Sequence, residues 1–420
     1  MKKNTILKTA FDEYTIVEQI GEGGNGTVYK VSDSANLPVA IKVVPKNISR
    51  EKLKRFKNEI YFCLKNPNDY IIKVLDNGVY SDEKQEYIFY VMPLYAKSLR
   101  QLMKEGIFPG QSMKAFADLC KGLAFAHSKG CIHRDLKPEN ILFDGKSHYI
   151  IADFGIAHFQ DLDKFTTVET RESSRLANFS YHAPEQIENS GSITAATDIF
   201  ALGLILNEMF TGKIPSGDNY KKISEVNADF AFLDKVVQKM LSQNPNGRYQ
   251  SIDELNIDFE ARKKAFENNK KIAVLSQPLV EGEARDFLTD NPIKILDCFI
   301  NNGQLIAKLS NTPNDWWEKC YDSALSYYTS SPFCYKNFVF MGNEARYDLE
   351  GYLQYGNSKQ LVESLIKDFK QAVENANRVY AQRVVASFQE RRQQEIARRQ
   401  AEIQRLESEN KFNDFLKGLL

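Results

Sequence analysis

Two short blocks hold the residues most able to do chemistry. Residues 133–140 read HRDLKPEN, and a DFG follows thirteen residues later. The first block contains Asp135, Lys137 and Asn140, and the second begins with Asp153. A carboxylate, an ammonium group, an amide and a second carboxylate, in this order and at this spacing, are what phosphoryl transfer from ATP needs.

Each of these side chains has a predicted role. Asp135 is placed to accept the proton of a substrate hydroxyl and to orient that hydroxyl. Lys137 can neutralise the moving γ-phosphate. Asn140 and Asp153 offer oxygen ligands, which suit Mg²⁺, with Mn²⁺ as an alternative metal.

A glycine-rich segment between two predicted strands is expected to cover the phosphates. The strands are Val17–Ile20 and Thr27–Val31. The segment opens into a strand, whereas a dinucleotide fingerprint opens into a helix, which favours a flap over ATP. An ordinary hairpin turn is the alternative interpretation. The glycines are Gly21, Gly23, Gly24 and Gly26.

Lys42 lies in the middle of an apolar strand, VAIKVV, so its ammonium group must meet an anion or leave the core. The next segment, 49–65, has helical periodicity and carries Glu59. We expect Lys42 and Glu59 to pair and to position the α- and β-phosphates, with Lys42 also contacting ATP. The alternative for Glu59 is a solvated helix charge.

A further strand, residues 87–93, leads into a segment expected to border the adenine. Met92 would line that pocket. Pro93 has no backbone N–H, so hydrogen bonds to the adenine edge must come from Leu94 or Tyr95.

These motifs occur in order and are followed by Ala-Pro-Glu-Gln at residues 183–186. Together, residues 12 to about 265 resemble a eukaryotic-type (Hanks-type) serine/threonine protein kinase, and the Ala-Pro-Glu-Gln is similar to bacterial members. The resemblance implies an α+β, two-lobed kinase fold with a small β-rich lobe and a large helical lobe, followed by a mainly α-helical C-terminal domain. The expected domains are an N-lobe at 1–93, a C-lobe at 94–268, a mainly helical accessory domain at 269–357 and a long helix or helical arm at 358–420.

The resemblance also assigns supporting residues. Val28, Ala40 and Leu142 would sandwich the adenine. Asp198 would steady the catalytic loop, and Arg248 would pair with Glu185. Cys63, His133 and Phe154 would belong to an apolar column that aligns the two lobes. Arg134 and Gly155 would be further structural positions.

The segment between Asp153 and Glu185 departs from the family pattern. Asn178 replaces the usual threonine, and the segment is longer than is usual in the family. Arg134 precedes the catalytic Asp, and the resemblance implies that it would pair with a phosphate on this loop. We therefore expect autophosphorylation, with Thr167 and Thr170 favoured, although a flexible polar loop is the alternative. The candidate hydroxyls belong to Thr166, Thr167, Thr170, Ser173 and Ser174.

Bulk composition is that of a globular protein. Among 420 residues, 43% are hydrophobic and 26% charged, and the formal net charge is zero, so no overall attraction to nucleic acid or membrane follows. No apolar run reaches the roughly 20 residues that span a bilayer, and the first residues lack the apolar core of a signal peptide. The scattered cysteines predict reduced thiols and a cytoplasmic location.

The second half carries no catalytic motif. Residues 268–271 read as a linker, 292–309 as a helix that could be broken at Asn301-Asn302-Gly303, and 333–341 as a short strand or irregular segment. An apolar helix face is expected within 314–328, where a packed core is favoured over a ligand cage. That face consists of Trp316, Trp317, Tyr321, Leu325 and Tyr328.

Residues 358 to about 417 lack proline and predict one long helix or two. The first part has an amphipathic stripe, whereas the part after 389 is mostly charged. Three interpretations remain open for 270–420: a solvated or partner-binding arm, homodimerisation, and nucleic-acid contact through arginines, the last being least favoured because acidic residues interrupt the run. No membrane partner is expected, and the protein substrate is unknown.

The sequence thus favours an Mg·ATP-dependent protein serine/threonine kinase. One alternative is a pseudokinase, an ATP-binding scaffold acting through its helical domain, which the intact Lys42, Glu59 and Asp135 argue against. Another is a small-molecule kinase, which the Ala-Pro-Glu segment argues against. The substrate and pathway cannot be read, and bacterial stress signalling or phage defence are only analogies from architecture.

Overall fold

A computed structural model describes the arrangement of most of the chain, which divides into two compact units. One comprises Met1–Glu267 with Asn413–Leu420, and the other Asn268–Phe412. The described residues are 1–23, 26–83, 85–154, 158–159, 179–188, 193–217, 219–279, 282, 284–324, 337–350 and 358–418.

The first unit begins with a six-stranded antiparallel sheet. Its strands are β1 (Ile6–Lys8), β2 (Glu13–Gly23), β3 (Gly26–Ser32), β4 (Pro38–Pro45), β5 (Asp76–Ser81) and β6 (Glu86–Pro93). The order across the sheet is β1-β2-β3-β4-β6-β5. Strand residues alternate between two apolar cores, so that Ile41 packs on one face and Ala40 on the other. The predicted strands at 17–20, 27–31, 39–44 and 87–93 are confirmed.

The glycine-rich segment is the hairpin between β2 and β3, with Gly23 opposite Gly26. Gly26 has a φ of +127°, and a Cβ there would lie 2.9 Å from the carbonyl oxygen of Val43. A larger residue would be strained in its backbone and would also collide with β4. Gly24 lies outside the described residues.

Helix α1 (Arg50–Lys65) follows β4 and packs on the sheet. Ser49 caps it, because its side chain accepts a hydrogen bond from the backbone N–H of Lys52. The helix predicted over 49–65 is confirmed, and Leu64 in its last turn is exposed. The residues buried on α1 are Phe56, Glu59, Ile60, Phe62 and Cys63.

The rest of the first unit is mainly helical, with short strands around the loops. Helix α5 is buried along almost its whole length, because it is surrounded by the other helices of the unit. The helices are α2 (Leu99–Glu105), α3 (Pro109–Ser128), α4 (Pro184–Glu188), α5 (Ala195–Thr211), α6 (Leu233–Met240) and α7 (Ile252–Leu275). The short strands are β7 (Lys97–Ser98), β8 (Cys131–Ile132), β9 (Ile141–Phe143), β10 (Tyr149–Ile151) and β11 (His158–Phe159). A sheet-rich lobe followed by a helical lobe confirms the predicted α+β class.

The second unit contains a four-stranded antiparallel sheet, with the order β12-β13-β15-β14. Its elements are α8 (Phe287–Asp290), β12 (Ile295–Asn301), β13 (Gln304–Leu309), α9 (Asp315–Ala324), β14 (Val339–Met341), β15 (Glu344–Asp348) and α10 (Ser358–Gly418). One face of the sheet and the two longer helices enclose a separate core, in which Trp317, Tyr321 and Phe369 are buried. Leu325 and Tyr328 of the predicted apolar face lie outside the described residues.

The helix predicted over 292–309 is wrong, since β12 and β13 form a hairpin there. Asn302 and Gly303 connect the strands with φ values of 46° and 76°. Positive φ at both positions of a two-residue Asn-Gly loop suits the twist of paired strands, and that signal outweighs the helical pattern of the apolar run. The accessory segment, for which we expected mainly helix, therefore also holds a sheet.

The linker predicted at 268–271 is also wrong, because these residues lie inside helix α7. Of the one or two helices predicted from residue 358, the structure has one, α10, and Leu365 and Val373 of its early stripe are buried. No helix in the described part of the chain combines the length and apolar character needed to cross a bilayer.

Replacing Gly303 by alanine should destabilise the second unit by about 1–2 kcal/mol, because an L residue with a Cβ is strained at positive φ. Both tryptophans of the chain, Trp316 and Trp317, lie in this unit, so tryptophan fluorescence during urea unfolding reports on it. Gly110→Ala is the matched control, because a Cβ there meets nothing within 4 Å. An unchanged fluorescence midpoint for Gly303→Ala would contradict the expectation.

Candidate active site

Lys42 reaches the site from the centre of β4. Its Nζ lies 3.1 and 3.0 Å from the two carboxylate oxygens of Glu59 and 3.3 Å from Oδ1 of Asp153. Lys42 is only 8% exposed and Glu59 only 1%. The predicted pair is therefore formed inside the protein, and Asp153 joins it.

The charges of this cluster are mutually compensated. Burial alone would lower the pKa of Lys42, but the carboxylates of Asp153 and Glu59 outweigh it, so that the pKa is raised and the ammonium group stays charged. Tyr90 donates a hydrogen bond of 3.0 Å to Glu59. The sequence analysis missed Tyr90, although β6 places it directly opposite Lys42 in the sheet.

The catalytic loop brings its polar side chains together around Asp135. Lys137 Nζ lies 2.9 Å from Asp135 Oδ2. Asn140 Nδ2 donates to the backbone oxygen of Asp135 at 2.8 Å and to Oδ2 at 3.1 Å. Asp135 and Lys137 remain partly accessible, with side-chain exposures of 13% and 15%. Both the carboxylate and the ammonium group are therefore accessible to a ligand.

Asp198, at the start of α5, holds the catalytic loop in place by hydrogen bonding. Its carboxylate accepts the backbone N–H groups of His133 and Arg134, each at 2.8 Å. It also lies 2.8 Å from Nε2 of His127, a residue that the sequence analysis did not identify. Burial alone would raise the pKa of Asp198, but these partners outweigh it and hold the pKa below its ordinary value.

Two site residues adopt a left-handed backbone. Arg134 has a φ of 69° and Asp153 a φ of 67°. Such conformations cost non-glycine residues energy and persist where surrounding contacts enforce them. At Arg134 the enforcing contact is the hydrogen bond to Asp198.

Phe154 anchors an apolar column behind the site. Its ring contacts His133 edge-on at 4.7 Å and Phe62 at 4.9 Å between centroids. Cys63, which the resemblance placed in the column, is buried in the same core, but the ring contact comes from its neighbour Phe62. Gly155 lies outside the described residues.

The surface predicted for adenine forms between the lobes. Ala40 and Met92 are opposite each other on β4 and β6, and both are buried. The half-buried residues packed around them are Val28, Leu94, Tyr95 and Leu142. Tyr95 is held through a hydrogen bond with the backbone of Lys73, and burial raises its pKa to about 12.

A cleft of about 180 Å³ lies between the glycine hairpin and α1. It is lined by Gly23 and Gly26 and extends to Glu59 and Asp153, so the glycine hairpin and the charged side chains border the same space. The sequence analysis missed two basic residues, Lys52 and Arg55, that also line it. A phosphate-bearing ligand suits this lining.

The Ala-Pro-Glu segment is fixed by a buried ion pair. Arg248 binds Glu185 with two hydrogen bonds, of 2.8 and 2.9 Å, and Thr197 donates to the same carboxylate at 2.9 Å. Arg248 is 1% exposed, and the pKa of Glu185 is lowered because these donors outweigh burial. Gln186 donates to the backbone oxygen of Arg134 at 2.8 Å, which joins this segment to the catalytic loop.

The candidate phosphorylation sites lie outside the described residues, as does Asn178. The candidate sites are Thr166, Thr167, Thr170, Ser173 and Ser174. Their assignment stays a prediction.

The donor set suits a hard divalent cation. The amide nitrogen of Asn140 donates hydrogen bonds to Asp135, so the carbonyl oxygen of the same amide group is directed away from Asp135. Asp153 supplies a carboxylate 16% exposed. Oxygen ligands from two side chains, completed by nucleotide phosphates and water, are a pattern that Mg²⁺ accepts.

Comparison with known proteins agrees with this geometry. A family model described as protein kinase domain matches residues 14–289. A probable serine/threonine-protein kinase of Clostridium acetobutylicum is 31% identical over 264 residues, which cover 58% of this chain and 39% of that protein. The serine/threonine-protein kinase PknB of Mycobacterium tuberculosis is 31% identical over 270 residues, covering 59% of this chain and 42% of PknB.

A third relative, the probable serine/threonine-protein kinase pknA2 of Bifidobacterium longum, is 34% identical over 225 residues. The match covers 51% of this chain and 28% of that protein. The chain therefore matches less than half the length of each of these relatives. The family model, over residues 14–289, spans the segment that carries the site.

Replacing Arg248 by methionine should lower the free energy of unfolding by about 3–5 kcal/mol, because it leaves the Glu185 carboxylate buried without its cation. Far-UV circular dichroism during urea unfolding measures the change. Lys46→Met, which removes an exposed pair with Glu86, is the control and should cost less than about 1 kcal/mol. Equal losses of unfolding free energy in the two variants would show that the buried Arg248–Glu185 pair stabilises the fold no more than an exposed pair does.

Proposed function

The chain belongs to the protein kinase family, and from that premise we propose that it is a protein serine/threonine kinase that transfers the γ-phosphate of Mg·ATP to hydroxyl groups of polypeptides. The observation that carries the proposal is that two charged groups of residues are joined through the backbone, because the N–H of Ala152, beside Asp153, donates to the oxygen of Asn140 at 2.8 Å and Asn140 donates to Asp135. Lys42, Glu59 and Asp153 form one group, and Asp135 with Lys137 forms the other.

The first group would hold the nucleotide. Lys42 is kept charged and directed by Glu59, so it can bind the α- and β-phosphates without being drawn out of the core. The glycine hairpin would cover the phosphates with its backbone N–H groups. Asn140 and Asp153 would hold Mg²⁺ or Mn²⁺, which neutralises phosphate charge when bound.

The second group would act on the acceptor. Asp135 accepts a hydrogen bond from the substrate hydroxyl, aligns its oxygen with the γ-phosphorus and receives the proton. Lys137, 2.9 Å from that carboxylate, balances the negative charge of the transferred group. Most of the rate enhancement then comes from positioning and electrostatics.

A polypeptide substrate is supported by the anchored Ala-Pro-Glu segment, which forms a fixed base beside the catalytic loop. We include autophosphorylation within 166–174 in the proposal, since Arg134 adjoins the catalytic Asp135. The free thiols of the described cysteines support a reducing, cytoplasmic location. Residues 270–420 would recruit partners or a second copy.

The parent protein incubated with Mg·ATP should phosphorylate itself, whereas Asp135→Ala should lose at least about 100-fold in rate, because the hydroxyl is no longer oriented. Mass spectrometry of the phosphosites measures both, with phosphate expected on 166–174. Asp69→Ala, at an exposed carboxylate, is the control. Nucleotide binding without transfer in the parent would favour the scaffold alternative.

Removal of divalent cations with EDTA should abolish transfer, because the phosphates and the Asp153 carboxylate would then repel each other. Excess Mg²⁺ or Mn²⁺ should restore the rate in the parent and fail to do so in Asp153→Ala. Transfer measured by radiolabelled ATP that persists in EDTA would contradict the assignment of Asn140 and Asp153 as metal ligands.

A further inference from the structure

A second polar cluster lies beside the catalytic loop and takes no part in the proposed chemistry. Arg100, in the first turn of α2, donates from Nε to Oε1 of Glu139 at 2.7 Å and from Nη1 to Oε1 of Glu208 at 2.7 Å. Its remaining terminal nitrogen donates to the hydroxyl of Tyr181, which itself donates to Glu208. One guanidinium thus bonds to three side chains that are far apart in sequence.

Three members of the cluster are largely buried, whereas Glu139, with a side-chain exposure of 46%, faces solvent. Side-chain exposure is 7% for Glu208 and 21% for Arg100, and Tyr181 is 6% exposed as a residue. A carboxylate buried to this degree requires a cationic partner. Burial alone would lower the pKa of Arg100, but Glu208 and Glu139 raise it, so the guanidinium stays charged. Burial and the bond to Glu208 raise the pKa of Tyr181, so the phenol stays neutral and donates.

Two of the three partners of Arg100 belong to the catalytic loop and to the segment that enters Ala-Pro-Glu, which are the two parts expected to meet a polypeptide. Glu139 is in the catalytic loop, immediately before Asn140. Tyr181 lies two residues before Ala183, in the helical turn Phe179–Tyr181 that enters the Ala-Pro-Glu segment. Glu208 lies on the central helix α5, which also carries Asp198. A movement of Tyr181 away from the loop would therefore break bonds to both Arg100 and Glu208.

Gln186 provides another link between these parts, through the backbone oxygen of Arg134. That link holds the segment after Ala183, whereas Arg100 holds the segment before it. The Arg248–Glu185 pair fixes the segment to the base of the helical lobe but does not reach the loop. Arg100 is thus placed to set how close residues 179–181 lie to the loop.

We propose that Arg100 is a positioning residue for polypeptide phosphorylation, which holds residues 179–183 against the catalytic loop through Tyr181 and Glu139 so that an acceptor hydroxyl meets Asp135. Its catalytic consequence rests on the proposed kinase function. The mechanical coupling between the two segments does not, and the two are tested separately.

Hydrogen–deuterium exchange of the full chain tests the coupling without any need for activity. In Arg100→Ala, amides of 179–183 and 137–140 should exchange at least about tenfold faster than in the parent. Lys97→Ala is the matched control, since it removes an exposed ion pair with Glu105 at the far end of the same helix. Tyr181→Phe, which keeps the ring, repeats the test should Arg100→Ala fold poorly. Unchanged exchange at 179–183 in both variants would overturn the proposal.

Steady-state kinetics with a generic serine/threonine peptide test the catalytic consequence. Arg100→Ala and Tyr181→Phe should each lower kcat by about 10- to 100-fold, with KM for ATP changed by less than about twofold. The double variant should lose no more than Arg100→Ala alone, because both substitutions break one chain of bonds. Losses that multiply, or a raised KM for ATP with unchanged kcat, would overturn the positioning role.

The two hypotheses fail in different ways. A parent protein that transfers no phosphate contradicts the proposed kinase function, and the exchange comparison still decides whether Arg100 holds residues 179–183. An active parent whose Arg100→Ala variant keeps the parental kcat contradicts only the positioning role.

Discussion

The buried carboxylate of Asp198 is the constraint on which the site depends. It lies on the central helix, and it accepts the backbone N–H groups of His133 and Arg134. Because Arg134 has a left-handed backbone that costs an L residue about 1–2 kcal/mol, the loop would relax without a fixed acceptor beneath it. The direction of Asp135, the next residue, follows from that backbone. The hydrophobic packing of α5 thus determines where a catalytic carboxylate points.

Charge compensation is the second constraint, and it explains why the polar residues of the site occur in sets. A lone Lys42 or Glu59 in this core would pay a large desolvation cost, whereas the two together, with Asp153 and Tyr90, are satisfied. The same reasoning applies to Arg248 with Glu185 and to Arg100 with Glu208. Each pair also links segments distant in sequence, so that local chemistry and tertiary arrangement are maintained by the same bonds.

The second unit is built on different principles. Its core is aromatic, with Trp317 stacked on Tyr321 and Phe338 stacked on Phe369. The polar contacts inside it, such as the hydrogen bond of 2.8 Å from Trp317 to Asn377, attach α9 to α10. These contacts serve packing. Among the described residues of this unit there is no buried pair of opposite charges like that of Lys42 with Glu59.

The sequence by itself determined the chemistry of the site. A lysine in an apolar strand, glycines between two strands and carboxylates at fixed spacing each have a local physical cause, so the pair of Lys42 with Glu59 and the loop around Asp135 could be predicted. Helix α1 was predictable for the same reason, since its cap and its periodicity are local. Hanks-type resemblance then supplied Asp198, Arg248 and Glu185, which spacing alone would not have found.

Tertiary structure alone decided the partners that no local pattern specifies. Tyr90 beside Glu59, Phe62 against Phe154, and Arg100 with Glu208, which is 108 residues away, depend on how distant elements pack. The β12–β13 hairpin was missed because an apolar run satisfies both helix and strand periodicity, although the local Asn302-Gly303 turn favours a hairpin. Pairing of β13 with β15 then satisfies further backbone groups of the strand, which no local pattern specifies. Burial and hydrogen bonding across the chain are non-local, and for that reason they cannot be read from spacing.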